Sequence, residues 1–194
     1  MDLKNKIIHE SLKLFSLKGF LSTSIHDILM ASNTSKGGFY NHFQSKEELF
    51  FAVLHEARII WREKNLSGLD RTLKPVEKLK KLLRNYRDRY LKDAKNFPGG
   101  CIFVTLSVEL DDQRPHLASE VNKGFKGFKA MIRLLLDKGK DSGEIAEDVD
   151  TKAVTEMIFA GMMGSSVIYG TEKSAKSLNK SINSLIAYIE SLSP

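Results

Sequence analysis

The segment S-K-G-G-F-Y-N-H-F-Q-S-K, Ser35 to Lys46, holds Ser35, Lys36, Tyr40, Asn41, His42 and Lys46 within little more than three helical turns. On a helix starting at Ser35, Ser35 and Lys36 lie at the N-terminus, and Tyr40, Asn41 and His42 follow one turn later. Phe39 and Phe43 recur four apart as inward anchors. The chemistry these residues offer is recognition. Tyr40, His42 and Lys46 can donate to phosphate oxygens, while Asn41 suits an adenine edge and Lys36 a guanine edge. The amide N–H groups and positive dipole end of such a helix also favour a phosphate. Two adjacent glycines, Gly37 and Gly38, cost this helix about 0.8–1.0 kcal/mol each against alanine. Either they let the backbone approach phosphates and bases, or they permit close packing against the first helix.

The flanking sequence supplies elements to hold this segment. Ile8, Leu12 and Phe15 repeat at helical spacing and predict a first helix ending at Lys18-Gly19. Thr23 or Ser24 can cap a short second helix carrying Ile25, Ile28 and Leu29, with Asp27 facing the cap. Ser32-Asn33-Thr34 breaks it, and Asn33 is the residue there most tolerant of a left-handed turn. The third helix is expected from Ser35 to about Phe43. Ser45-Lys46-Glu47-Glu48 then reads as a capping box for a longer fourth helix lined by Phe50, Val53, Leu54, Ala57 and Trp61, which fades at Asn65-Leu66-Ser67-Gly68. Two short helices across a three-residue turn, braced before and after, make a helix-turn-helix over about residues 24–43.

Everything beyond also reads helical. Pro75 suits a first turn, and Val76, Leu79, Leu83, Tyr86 and Tyr90 repeat up to Phe97-Pro98-Gly99-Gly100. Cys101 to Leu110 is apolar nearly all round, and with no strand to pair with it reads as a buried helix. Pro115 opens the longest helix, with Leu117, Val121, Phe125, Phe128, Ile132 and Leu135 on one face as far as Ser142-Gly143. Asp150 caps a helix of about 151–169, and a last one spans about 174–192. The expected fold is all-α, about nine helices with no sheet. In the final helix Leu178, Ile182, Leu185, Ile189 and Leu192 form a narrow seam. The preceding helix carries Gly161, Gly164, Ser165 and Ser166, small enough for close helix approach. Two such helices from each of two chains would form a four-helix dimer interface; the alternative is that both complete the chain's own core.

With 194 residues, 42% of them hydrophobic, the chain can bury a sizeable core. Its first fifteen residues interleave charge with apolar side chains and no long apolar run follows, so neither a signal peptide nor a membrane span is expected, and the cytoplasm is the expected location. A net charge of +6 permits an acidic partner. Arg71 to Lys95 holds ten basic and three acidic residues, against six and three in Met1 to Lys46, and reads as a solvated face. No Cys/His group has metal-ligand spacing, and no metal or cofactor is expected. An enzyme is disfavoured: His55-Glu56 lacks a second histidine, Glu109, Asp111 and Asp112 resemble a solvated turn, and Cys101 has no histidine nearby in sequence. Cys101 falls in a first helical turn after Pro-Gly-Gly, where the dipole favours a thiolate and would suit a redox sensor. The alternative is an inert packing group.

T-S-I-H-D-I-L-M-A-S-N-T-S-K-G-G-F-Y-N-H-F-Q-S-K-E-E-L resembles the signature of the TetR (tetracycline-repressor-like) regulators over roughly residues 5–55. The resemblance implies phosphate contacts from Thr23 or Ser24, Lys36, Tyr40, His42 and Lys46, with bases read near Ser35, Lys36, Gly37, Gly38 and Asn41. Asn33 stands where the family usually has glycine, and Gly38 where Thr, Ala or Ser is commoner. Also implied are a DNA-binding domain of residues 1–48, a connection of 49–69, and a ligand-binding and dimerisation domain of 70–194. The implied partners are double-stranded operator DNA, a second copy, and an apolar or aromatic inducer. Trp61, Tyr86, Tyr90, Phe103, Ser107, Phe125, Phe128 and Met162 are the candidate lining, or else plain core.

Overall fold

Most of the helices begin at a small polar side chain that accepts a first-turn N–H or at a proline that has no N–H to satisfy. The computed structural model describes residues 2–69 and 74–194; Arg71, the first base of the basic run, lies outside the described residues. The described residues form nine α-helices and one π-helical turn and contain no strand: α1 Leu3–Lys18, α2 Ile25–Ser32, α3 Lys36–Tyr40, α4 Lys46–Asn65, α5 Pro75–Asn85, the π-turn Tyr86–Tyr90, α6 Ile102–Leu110, α7 Pro115–Asp141, α8 Thr151–Glu172 and α9 Ala175–Glu190. Asp2, Ser24, Ser35, Asp150 and Ser174 each accept a backbone N–H of the first turn from their Ncap positions. Glycine closes α1: Gly19 has φ +81°, a conformation that L side chains adopt at a cost.

The chain divides into two compact units, neither of them one continuous stretch. The first comprises residues up to Trp61 together with Asp93–Asn122. Its centre is aromatic: Phe15, Phe20, Phe39, Phe43 and Phe50 are each at most 2% exposed, and the Phe20 ring meets those of Phe15 and Phe50 edge-on at 5.4 and 5.2 Å. Here α6 packs on α1. The Phe97-Pro98-Gly99-Gly100 break joins them: Gly99 N–H donates to Ser16 Oγ at 3.0 Å, and a side chain at Gly99 would run into the Ser16 carbonyl.

The second unit comprises Arg62–Lys92 and Lys123–Pro194. In it α8 pairs with α9, and α9 packs against α5 and the π-turn. Leu79, Leu82, Leu83, Ile132, Leu136, Ile158 and Met162 are fully buried. The regular helix expected through Tyr90 gives way at Tyr86 to the π-turn, in which the Tyr86 and Tyr90 rings stack at 5.6 Å. Buried Asn85, just before the turn, donates to the carbonyls of Asn65 and Ser67 at 2.9 and 3.0 Å. Lys80 ties α5 to α9 through Glu190 at 2.7 Å.

Candidate nucleic-acid interface

Of the two possible caps for α2, the structure uses Ser24. Its Oγ accepts from Asp27 N at 3.1 Å, and Asp27 Oδ2 accepts from Ser24 N and Oγ, both at 2.7 Å. Lys18 lies 2.9 Å from the same oxygen. The Ser24 hydroxyl first, then Lys18 and the Ser24 amide, hold the Asp27 carboxyl well below its ordinary range. Thr23, the other cap considered and an implied phosphate contact, is fully buried and spends its hydroxyl on the Gly19 carbonyl at 2.6 Å. That side chain cannot reach DNA.

The turn follows the stereochemistry expected of Asn33, which sits at φ 50°, ψ 54° while Thr34 N–H donates to the Leu29 carbonyl at 3.0 Å. Ser35 then caps α3, its Oγ accepting from Gly38 N at 3.1 Å. The helix is shorter than expected, ending at Tyr40 instead of Phe43. Two glycines weaken it, and Asn41 and His42 continue as turns bonded back to Gly37 and Phe39. Phe39 and Phe43 are the inward anchors, with rings 5.9 Å apart. Ser35, Lys36, Gly37, Tyr40 and Asn41 are exposed, and His42 is half-exposed.

The two glycines separate here. A Cβ at Gly37 would meet nothing nearer than Ser35 Oγ at 3.9 Å, so that position faces open space. A Cβ at Gly38 would collide with Thr34 Oγ1 and lie 3.5 Å from Leu3 of α1. The crowding at Gly38 is thus with the Thr34 hydroxyl of the turn, while α1 lies at ordinary contact distance.

Lys46 is engaged inside the unit. Its Nζ donates to the carbonyls of Phe20 and Thr23, both at 2.8 Å, and lies 4.3 Å from the Phe20 ring centroid. Burial lowers its pKa, opposed by nearby Glu109. Two of the three ammonium donors are thus committed away from any phosphate. At the start of α4, Ser45 Oγ accepts from Glu48 N as expected, but the Glu48 carboxylate takes the Gln44 N–H at 2.6 Å instead of that of Ser45.

Sequence reasoning missed Glu109, read as part of a solvated turn. Its carboxylate instead accepts from Phe20 N at 2.6 Å and Leu21 N at 2.8 Å. No sequence signal pointed to it, since Gly19, whose Cβ would meet this carboxylate, already read as the end of α1.

The candidate ligand lining divides between the units. Trp61, Phe103 and Ser107 belong to the first, and Tyr86, Tyr90, Phe125, Phe128 and Met162 to the second. Ser107 Oγ donates to the Val104 carbonyl and Thr105 Oγ1 to that of Cys101, so both hydroxyls serve the helix backbone. Tyr86 Oη donates to the Met162 carbonyl at 3.3 Å. Phe159, not singled out from sequence, meets Phe125 and Phe128 at 5.3 and 6.0 Å. Cys101 takes the Ncap position of α6 and is 6% exposed.

Most of the residues expected at a dimer interface are used within the chain. Leu178 and Ile182 are fully buried and Ile189 is 1% exposed. Gly161 admits the Leu185 side chain of α9, and Ser165, also buried, donates to the Gly161 carbonyl. Within the chain α8 and α9 thus already bury Leu178, Ile182, Ile189 and Ser165, while Gly161 and Leu185 stay part-exposed. Gly164 faces open space. The uncovered apolar side chains lie elsewhere on α8, at Met157, Val167 and Ile168.

A capped helix, a left-handed asparagine turn and a second helix presenting polar side chains from an aromatic anchor define a helix-turn-helix DNA-binding protein. Residues 7–53 match the family described as "Bacterial regulatory proteins, tetR family", and residues 75–185 match "Tetracyclin repressor-like, C-terminal domain". The chain belongs to the TetR family of transcriptional regulators, which are not enzymes. It is 24% identical to the HTH-type transcriptional repressor DhaR of Mycobacterium sp. GP1 over 91% of this chain and 87% of that protein. A TetR regulator from Chloroflexus aurantiacus superposes with TM-score 0.89 at 29% identity, covering 96% of this chain and 93% of that one. AibR, solved with isovaleryl coenzyme A and operator DNA, shares the fold at TM-score 0.74 and 16% identity, covering 96% and 97%. No helix among the described residues is long and apolar enough to cross a membrane.

Proposed function

We propose that this protein is a cytoplasmic repressor that binds a near-palindromic operator as a homodimer and leaves it when an apolar or aromatic small molecule binds residues 70–194. The observation that carries the DNA reading is the exposed edge of α3, set on buried Phe39 and Phe43. In this reading Ser24, Tyr40 and His42 contact phosphates, Lys36 and Asn41 reach base edges, and Ser35 and Gly37 let the backbone approach them. Lys46 contributes one remaining donor. Residues 1–48 form the DNA-binding domain, 49–69 the connection, and 70–194 the ligand and dimer domain. A small-molecule effector is supported by the acyl-coenzyme A seen with AibR, and repression by the likeness to the repressor DhaR. Release requires the effector to prefer the state in which the two α3 helices no longer match half-sites about 34–36 Å apart.

The test is selection of duplexes from a random pool by the wild-type protein at about 0.15 M salt, followed by titration of Lys36→Ala and Tyr40→Ala on the selected duplex. A two-fold related consensus is expected, with each variant binding it about tenfold more weakly and Lys36→Ala relaxing preference at one base position. Enrichment of no sequence, or undiminished binding by both variants, would refute the reading.

A further inference from the structure

The loop between α1 and α2, Gly19 to Thr23, is held from two sides by opposite charges. On one side the Glu109 carboxylate of α6 accepts the Phe20 and Leu21 amides at 2.6 and 2.8 Å. On the other, the Lys46 ammonium of α4 takes the Phe20 and Thr23 carbonyls at 2.8 Å. The loop thus directs N–H groups at an anion and C=O groups at a cation, and each bond is charge-assisted. Gly19 completes the arrangement. Its φ of +81° turns the chain, and any Cβ there would occupy the space of the Glu109 carboxylate. Ser24, the cap of α2, is the next residue after the loop, so the loop fixes where the helix-turn-helix begins.

We propose that Glu109 is a positioning residue for operator binding: from outside the helix-turn-helix, it fixes the loop that sets the entry of α2 and, through the Asn33 turn, the placement of α3. This rests on the operator-binding reading above. Glu109 itself touches no DNA. Its loss leaves two loop amides without their acceptor and lets α2 start in more than one position, which blunts a geometric fit to bases more than a general attraction to phosphate.

The experiment measures wild type, Glu109→Gln, Gly19→Ala and the double variant against the duplex selected by wild type and a scrambled duplex of equal length, at one salt concentration. Each single variant is expected to bind the selected duplex about tenfold more weakly, the scale of one lost charge-assisted contact, with unchanged affinity for the scrambled one. The double variant should be no worse than Gly19→Ala alone, because that change already disrupts the Glu109 contact and adds its own backbone strain. Wild-type affinity in Glu109→Gln, equal losses on both duplexes, or additive losses in the double variant would overturn the proposal. Amide exchange on wild type keeps it testable should the variants not fold: Phe20 and Leu21 N–H must exchange more slowly than Ser22 N–H, and equal rates would refute it. A wild type that selects no duplex defeats the operator reading instead, and is told apart by that control.

Discussion

Gly37 and Gly38 share a sequence context but answer to different forces. Open space around Gly37 means that alanine there gains helix propensity, about 0.8–1.0 kcal/mol, with nothing to displace. At Gly38 the same methyl must move the Thr34 hydroxyl, with Leu3 of α1 at ordinary contact distance. Gly37→Ala is therefore expected to raise the thermal midpoint while weakening binding to the selected duplex, and Gly38→Ala to lower the midpoint, at a stability cost of up to about 1–3 kcal/mol, the range for overpacking. Calorimetry beside a binding titration checks both, and a midpoint raised by Gly38→Ala would contradict the packing account. The type of residue at both positions was legible in the sequence. Which glycine met solvent and which met Thr34 was not, because that depends on how the backbone of the Asn33 turn aims the Thr34 side chain at α3.

At the scale of elements, the start of α2 is pH-sensitive through one carboxylate. The Asp27 pKa is held well below its ordinary 3.8 by the Ser24 hydroxyl, Lys18 and the Ser24 amide. A carboxylate depressed by folding adds stability above its unfolded pKa, and that contribution is lost as pH falls below it. Wild type should be more stable than Asp27→Asn at neutral pH, and the gap should narrow below about pH 4. Thermal melts across that range check this; a gap that stays constant down to about pH 2 would exclude the mechanism. The capping pattern Ser24-x-x-Asp27 was readable because it is local, with donor and acceptor three residues apart. The α3 boundary was less so: two glycines and the return bonds at Asn41 and His42 shortened it.

At the scale of the molecule, the apolar side chains that the α8–α9 seam leaves uncovered on α8 are the surface a second copy would meet. Met157, Val167 and Ile168 on α8 are 41%, 49% and 40% exposed, beside the open Gly164. If a second copy covers them, Met157→Asp with Val167→Asp should give a folded monomer that binds the selected duplex at least tenfold more weakly, since each half-site then binds alone. Sedimentation equilibrium decides it: a double variant that remains dimeric removes this face from the interface.

The sequence by itself determined what depends on near neighbours along the chain: about nine helices, the cap at Asp150, a cap for α2 at Thr23 or Ser24, the left-handed turn at Asn33, and the paired anchors Phe39 and Phe43. Periodicity, capping and backbone stereochemistry act over three or four residues, so they can be read in order. Only the tertiary structure decided which polar groups were already engaged. Thr23 turned inward to Gly19, Lys46 closed on two carbonyls, Glu109 reached across almost ninety residues of sequence to the Phe20 and Leu21 amides, and the α9 seam closed on α8. A buried amide or ammonium must find a partner wherever the fold brings one, and sequence spacing carries no record of that distance.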